Sequence, residues 1–434
     1  MTRGPATPAH NSAGRNSQSR GRAAVIGGSV AGCAAAIALA RSGYAVSVFE
    51  RSRGGLRGRG AGIAVPAALR EQLLASGYLG STLPFLTVAH RRWVVRDGAG
   101  DIRLLWEQPS PGVTLDWAAL WQALRDRVPD TAYRAGVLCT GVRHDADAVT
   151  VSFEDGGEDR FDVLVGADGH SSLVRRLMHA AGSGVVAGYV AWRGVCRLAD
   201  LDGLAVARLL ENSWVTACYP RGHTVYYRIP GADGGTGPAD IRVNWVAYAH
   251  EPVMPAAPPG AVPRKVWEQL LSTLAVYLPD ALHQVIARTA REAVSVQTVR
   301  DVTVPAYAHG RVALAGDAAT LARPHASSGV LKALRDAMAL ENVLSRTSSI
   351  IEALDAYGTA RTDDGNATVA LGALLGRHQV EHTPNWAEMT GPGLDRWTKG
   401  ILAGTQHYLY GNVAAATRTA TGAAPAAASE GTRG

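Results

Sequence analysis

AAVIGGSVAGCAAAIALARSGYAVSVFE, residues 23–50, is the stretch from which the fold of this chain is read. Residues 23–26 form a short apolar run with the character of a buried strand, and Gly27-Gly28-Ser29-Val30-Ala31-Gly32 follow as a glycine turn. An Ala-rich helix runs from about Cys33 to Arg41 and is closed by Ser42-Gly43; residues 44–50 are a second strand ending in Glu50. Strand, glycine turn, helix, strand and terminal acid make a βαβ unit of the dinucleotide-binding kind. Gly27 permits the sharp turn, and a small residue at Ser29 lets phosphate oxygens reach backbone N–H groups. Gly32 allows helix and strand to approach, and Glu50 suits the hydroxyls of an adenosine ribose. Ser29 stands where G-x-G-x-x-G has its middle glycine, and glycines alone do not separate NAD from FAD.

Two later stretches repeat the strand-into-turn pattern. Residues 162–165 (DVLV) lead into GADGHSSLVR at 166–175, and residues 312–315 (VALA) into GDAATLARPHASSG at 316–329, with a helix opening near Gly329. A helix N-terminus carries unpaired N–H groups and the positive end of its dipole, so it suits an anion. Asp317, at the strand exit, can accept from sugar or polyol hydroxyls. Arg57 to Ile63 (RGRGAGI) is a basic, glycine-rich loop in which Arg59 could face a pyrophosphate.

Between these turns the pattern changes. Residues 85–107 and 188–250 alternate apolar and polar like antiparallel strands, with a hairpin loop at 231–237. Helical periodicity is expected from Pro66 to Leu79, from Trp117 to Val128 behind an Asp116 N-cap, and from Val266 to Ala290. Residues 137–161 read as a hairpin, and helices run to about Gly404 with a break at Thr390 to Pro392.

The 434 residues carry 47% hydrophobic and 18% charged side chains, an ordinary soluble composition. No apolar run is long enough to span a membrane and no secretory leader is evident, so a cytoplasmic location is expected. Cys33, Cys139, Cys196 and Cys218 show no paired spacing, which argues against a metal or disulfide framework. The net charge of +6 sits mostly at the ends: Arg3, Arg15, Arg20 and Arg22 with no acid, then Arg418 and Arg433 against Glu430. Nucleic acid is therefore not the expected partner. Residues 1–21 and 413–434 are expected to be disordered.

GGSVAG with Glu50, GADGHSSLVR and GDAATLARPHASSG occur in the order found in flavoprotein monooxygenases of the aromatic-hydroxylase type (group A). The chain resembles that family from about Ala23 to Ala360. Ser29 and the Arg323-Pro324-His325 triplet are most similar to the branch that contains the 2,6-dihydroxypyridine hydroxylases. The resemblance implies an α/β fold: a doubly wound Rossmann-like FAD-binding domain with an inserted antiparallel β-sheet substrate domain, p-hydroxybenzoate hydroxylase-like. It places 22–84, 112–184 and 300–345 in the FAD domain, 85–111 and 185–299 in the substrate domain, and 346–412 in C-terminal helices.

It also implies the cofactors FAD and NAD(P)H, with O2 activated as a C4a-hydroperoxyflavin, and a small electron-rich aromatic or heteroaromatic substrate of secondary metabolism. The protein would be a monomer or homodimer. Gly27, Ser29, Val30, Ala31, Gly32, Glu50, Arg51 and Arg59 would hold the ADP half, and Asp168 would sit near the pyrophosphate. Gly316 and Asp317 would meet the ribityl chain, and Pro324, Ser328, Gly329 and Val330 the flavin ring. His325 is the candidate general base, and Tyr189, Trp192, Arg193 and Tyr226 (with Tyr227) the candidate substrate contacts. Thr320, Ala326, Leu331 and Trp117 depart from the common His, Gly, Asn and Arg. Rival readings are epoxidation, oxidative cyclisation or Baeyer–Villiger insertion on the same fold, or a non-catalytic FAD-binding redox sensor. A flavin-dependent halogenase is disfavoured because no W-x-W-x-I-P stretch occurs.

Overall fold

The computed structural model describes residues 19–56, 62–179, 184–201, 204–250 and 254–403. Arg59 and the expected tail lie outside these, as do residues 1–18 of the expected arm. Residues 19–21 depart from the loose arm read from the sequence. Arg20 donates to the carbonyls of Leu344 (2.7 Å) and Thr347 (2.6 Å), which anchors the chain before the first strand.

The opening unit is β1 (Arg22–Ile26), α1 (Val30–Arg41) and β2 (Ala45–Glu50). Then come β3 (Gly62–Pro66), α2 (Ala67–Ala75), β4 (Leu86–Arg96), β5 (Ile102–Asp116), α3 (Trp117–Arg125) and β6 (Tyr133–Ala135). The Asp116 side chain caps α3 by accepting from Ala119 N–H at 2.9 Å, as its sequence position predicts. Residues 137–161 are three strands rather than a hairpin: β7 (Cys139–His144), β8 (Val149–Phe153) and β9 (Glu158–Phe161). The turn Glu154–Gly157 ends the alternation early enough for β9 to fold back on β8.

β10 (Val163–Gly166) and α4 (Leu173–Met178) precede the long β11 (Val185–Arg197), α5 (Leu204–Leu209), β12 (Ser213–Tyr219), β13 (Gly222–Ile229) and β14 (Arg242–Ala249). The helix expected over 266–290 is two, α6 (Arg264–Tyr277) and α7 (Asp280–Ala287), because Pro279 cannot continue α6 and instead precedes α7. β15 (Ser295–Asp301), β16 (Ala308–His309), β17 (Val312–Leu314), α8 (Gly329–Leu344), α9 (Ile350–Gly376) and α10 (Gly391–Ile401) complete the described chain. The break expected at 390–392 lies earlier: a π-helical turn at Arg377–Glu381 ends the α9 segment, and Thr390 caps α10.

Six strands form one sheet in the order β16-β17-β10-β1-β2-β6, parallel except for β16. Its central strands are apolar on both faces, as a sheet covered on two sides requires. Eight strands form the second sheet, β15-β11-β14-β13-β12-β4-β5-β3, antiparallel except between β12 and β4. β3 belongs to this sheet, paired with β5 from Gly62↔Asp116 to Pro66↔Gly112, so part of the range expected in the FAD domain serves the other layer. One face of the second sheet packs on α6 and α7 around Trp192, Tyr226, Trp245 and Trp267. Tyr189, Ala191, Val246 and Tyr248 occupy the opposite face.

Candidate functional site

β1, β10 and β17 lie side by side, so their exits meet at one edge of the parallel sheet. Gly27 turns at φ +101°, and a Cβ there would stand 2.4 Å from the Ala167 carbonyl. A Cβ at Gly32 would stand 1.8 Å from the Gly27 carbonyl, and one at Gly316 (φ +60°) 2.7 Å from the Ala31 methyl. These are contacts only glycine permits. Arg175 ties the second turn to the third, donating to the carbonyls of Asp317 (3.0 Å), Ala318 (2.8 Å) and His170 (2.6 Å).

Two helices point their N-termini at this edge. Ser29 caps α1 in position but makes no side-chain bond, and no acid lies in the first turn. Among the described residues, no acceptor faces the N–H groups of Val30, Ala31 or Gly32. The first turn of α8 likewise has no acid and no side-chain cap at Ser328. Both termini suit an anionic oxygen.

Glu50, buried at the end of β2, accepts from Gly28 N–H (2.8 Å) and Ser52 N–H (2.9 Å), which fixes its carboxylate and leaves lone pairs outward. Arg51 is exposed beside it. Beyond lies a cavity of about 360 Å³ lined by Arg53, Gly54, Gly55, Trp121, Arg125, Asp130, Tyr133 and Ala135. Trp121 (2.9 Å) and Tyr133 (3.1 Å) both donate to the Gly28 carbonyl, turning it away from the helix entrance. Guanidinium and aromatic faces suit a flat heteroaromatic ring. An adenosine at Glu50, a pyrophosphate at α1 and a polyol near Asp317 therefore match the groups present, as FAD requires.

Asp317 remains 45% exposed, with its Oδ1 3.8 Å from Lys332 Nζ and 4.0 Å from where a Gly329 Cβ would stand. Lys332 is buried under the turn and donates to Gly316 O (2.8 Å), Thr320 O and Thr320 Oγ1 (3.1 Å). Burial pulls its ammonium below the ordinary lysine range, with Asp317 and Asp336 opposing. Asp336 holds the turn by accepting from Gly316 N–H (2.8 Å) and from Arg361 (2.7 Å). The Asp168 carboxylate accepts from Ser172 Oγ and from the N–H groups of Leu173 (2.6 Å) and Val174 (3.3 Å), so it caps α4. Trp117 packs against the core.

The second sheet supplies the roof. His325 follows Pro324 in a short 3-10 turn and is buried, with Ser327 left-handed (φ +48°) before α8. Its Nε2 is 2.6 Å from Tyr189 Oη, its ring is 4.3 Å from Tyr248 and 5.2 Å from His223, and its Nδ1 has no partner among the described residues. Burial, then His223, Arg323 and Arg91, push its pKa well below the ordinary range, so the ring is neutral. His223 is likewise lowered, to about 3, by burial.

Of the four expected substrate contacts, Tyr189 and Arg193 share the face turned to His325, and Arg193 Nε has no partner among the described residues. Trp192 and Tyr226 do not share it: they are buried on the opposite face under α6 and α7. Successive strand residues point to opposite faces, so Tyr189 and Trp192 cannot both face one ligand. That parity also finds two residues the sequence reading missed, His223 and Tyr248, which pair across β13 and β14 on the Tyr189 side. Asn244 shares a side with them. Its Oδ1 accepts from Gly62 N–H (2.8 Å), its Nδ2 has no partner, and Tyr227 Oη donates to the Gly62 carbonyl (2.7 Å). No cluster of three or more metal-ligating side chains occurs among the described residues.

A sequence profile described as FAD binding domain-like matches residues 186–257, a range that includes β12, β13 and β14 of the second sheet. The chain is 30% identical over 354 residues to a 3-amino-4-hydroxybenzoate 2-monooxygenase of Streptomyces cremeus, spanning 78% of this chain and 83% of that one. It is 28% identical over 370 residues to the 2,6-dihydroxypyridine 3-monooxygenase of Paenarthrobacter nicotinovorans, spanning 80% and 88%. The solved structure of 2,6-dihydroxypyridine-3-hydroxylase from Arthrobacter nicotinovorans superimposes with a TM-score of 0.74 at 26% identity, covering 86% of this chain and 98% of that one.

Proposed function

The chain belongs to the FAD-dependent, aromatic-hydroxylase (group A) family of flavoprotein monooxygenases, and from that premise we propose that it hydroxylates a small, electron-rich aromatic or heteroaromatic compound with NAD(P)H and O2. The balanced reaction inserts one oxygen atom into a ring C–H bond and releases the other as water, with NAD(P)H supplying two electrons and solvent one proton. The observation that carries this reading is the convergence of the three turns at one sheet edge, with His325 of the third stretch set against a second-sheet face bearing Tyr189, His223 and Tyr248. Relatives named for a dihydroxypyridine and an aminohydroxybenzoate support a ring activated by hydroxyl or amino groups.

Bound FAD supplies the exchange of electrons between NAD(P)H and O2; the chain supplies position and a dry site. The N–H groups of Val30, Ala31 and Gly32 hold the pyrophosphate, Glu50 the ribose, Asp317 the ribityl hydroxyls and the first turn of α8 the pyrimidine oxygens. Arg193, Asn244 and His325 Nδ1 offer the polar contacts on the roof, and the surrounding aromatic rings exclude water.

The test is purification with added FAD. It is followed by screening 2,6-dihydroxypyridine, 3-amino-4-hydroxybenzoate and other phenols for stimulated NAD(P)H oxidation, with 18O2 incorporation into product. Retained yellow colour and labelled product are expected. Protein that binds no FAD, or that binds FAD and stimulates nothing across the panel, would overturn the reading.

A further inference from the structure

His325 is held from one side by a chain of groups, of which Tyr189 and Arg323 are buried and Asp301 and Glu381 partly so. Arg323 lies between two carboxylates, with its Nε 2.9 Å from Asp301 Oδ2 and its Nη1 donating to Glu381 Oε1. Nη1 also stands 3.5 Å from Tyr189 Oη, and Tyr189 Oη is 2.6 Å from His325 Nε2. Glu381 is delivered by the π-helical turn at the end of α9, a distortion that often re-aims a side chain at functional sites.

The last turns of α9 are hollowed for this chain. A Cβ at Gly376 would stand 2.4 Å from Tyr189 Oη and 2.8 Å from Arg323 Cδ, and one at Gly372 3.0 Å from Arg323 N. The two glycines are one helical turn apart and so face the same way.

The polarity of the chain follows from donor inventory. A guanidinium has donors only, so Arg323 can only donate to Tyr189 Oη. A phenol that accepts there keeps its own proton to give, and His325 Nε2 is the acceptor 2.6 Å away. The proton of the neutral imidazole then resides on Nδ1, the atom left without a partner inside a buried site.

We infer that Tyr189 and Arg323 are positioning residues that lock His325 in the Nδ1–H tautomer, so that the site presents a hydrogen-bond donor rather than a general base. The group opposite Nδ1 must then be an acceptor, a ring carbonyl or oxyanion of the substrate. This rests on the proposed function only for the identity of that opposite group.

The test reads the tautomer directly. In FAD-loaded enzyme labelled with 15N-histidine, long-range proton–nitrogen correlations report which ring nitrogen carries hydrogen, with His325 assigned by its disappearance in His325→Gln. The wild type is expected to show protonated Nδ1 and bare Nε2. Tyr189→Phe removes the relay donor and is expected to populate the Nε2-protonated form. Gly376→Ala removes no polar group but displaces Tyr189 Oη and is expected to shift the same resonances the same way, with FAD content unchanged in both variants. Protonated Nε2 in the wild type, or an unaltered tautomer in Tyr189→Phe, would overturn the inference. The measurement needs no turnover, so failure of the substrate screen would sink the proposed reaction and leave this result standing.

Discussion

The two halves of the candidate site are built from different materials. At the edge of the parallel sheet the ligand-facing groups are mostly backbone: N–H groups of α1 and α8, turned outward by Gly27, Gly32 and Gly316, with Glu50 and Asp317 as the side-chain exceptions. Across from it, the other half is built from side chains: His325 touches Tyr189, His223 and Tyr248 of the antiparallel face, which also carries Arg193 and Asn244. A backbone-built site tolerates no added atom at its close approaches. A side-chain-built site tolerates change in bulk but depends on which hydrogen bonds survive.

The sharpest test of that contrast is Gly32→Ala. Its Cβ would meet a backbone carbonyl at 1.8 Å, which no rotamer relieves. A stability loss of about 3 kcal/mol, at the upper end for overpacking, is expected, with loss of retained flavin, read by thermal melting and visible absorbance. A variant that keeps both would break the comparison. Next in size, His325→Gln on the other half should leave flavin retention intact. It should lower substrate-stimulated NAD(P)H oxidation by about 100-fold, the scale of losing one preorganised donor. Glu50→Gln removes the charge that fixes the ribose position while keeping the shape. FAD affinity measured by fluorescence titration should fall by about tenfold, in line with the loss of one charge-assisted hydrogen bond.

A pH titration sharpens the comparison further, because the side-chain half buries neutral histidines. His223 is lowered from its ordinary value to about 3 by burial, so unfolding lets it take up a proton at any pH between that value and about 6.5. The unfolded state binds more protons there, and stability therefore falls as pH drops below about 6.5. For each such histidine the slope is about 1.4 kcal/mol per pH unit. Urea midpoints at pH 7 and pH 5 should differ less in His223→Phe than in the wild type; equal differences would refute the assignment. The smallest kinetic effect should come from Trp192→Phe. This residue sits on the far face with α6 and α7, so melting temperature should drop while KM and kcat stay within about twofold.

The backbone half was legible in the chain because its physics is local. Glycine at 27 and 32, a small residue at 29 and an acid at 50 each mark a turn, a helix entrance or a strand end within one continuous βαβ unit. The same locality gave Asp116 as a cap and Gly329 as the opening of α8. Asp168 shows the limit: its motif was plain, but whether its carboxylate faced outward or capped α4 depended on Ser172 and Leu173 folding back upon it. On the second sheet, Tyr189, Trp192, Arg193 and Tyr226 were named together as candidate contacts, whereas the structure divides them between two faces. Strand parity was present in the sequence, but which parity pointed inward was not.

By itself, then, the sequence determined the βαβ unit, the three strand-into-turn stretches and the family resemblance, because each is carried by a continuous run of residues. Only the tertiary structure decided which face of β11 and β13 meets His325, that Arg323 is clamped between Asp301 and Glu381, and that α9 is hollowed at Gly376 to admit Tyr189. Those contacts join residues that lie 22 to more than a hundred positions apart, and their geometry follows from how two sheets and a helix pack rather than from any local preference.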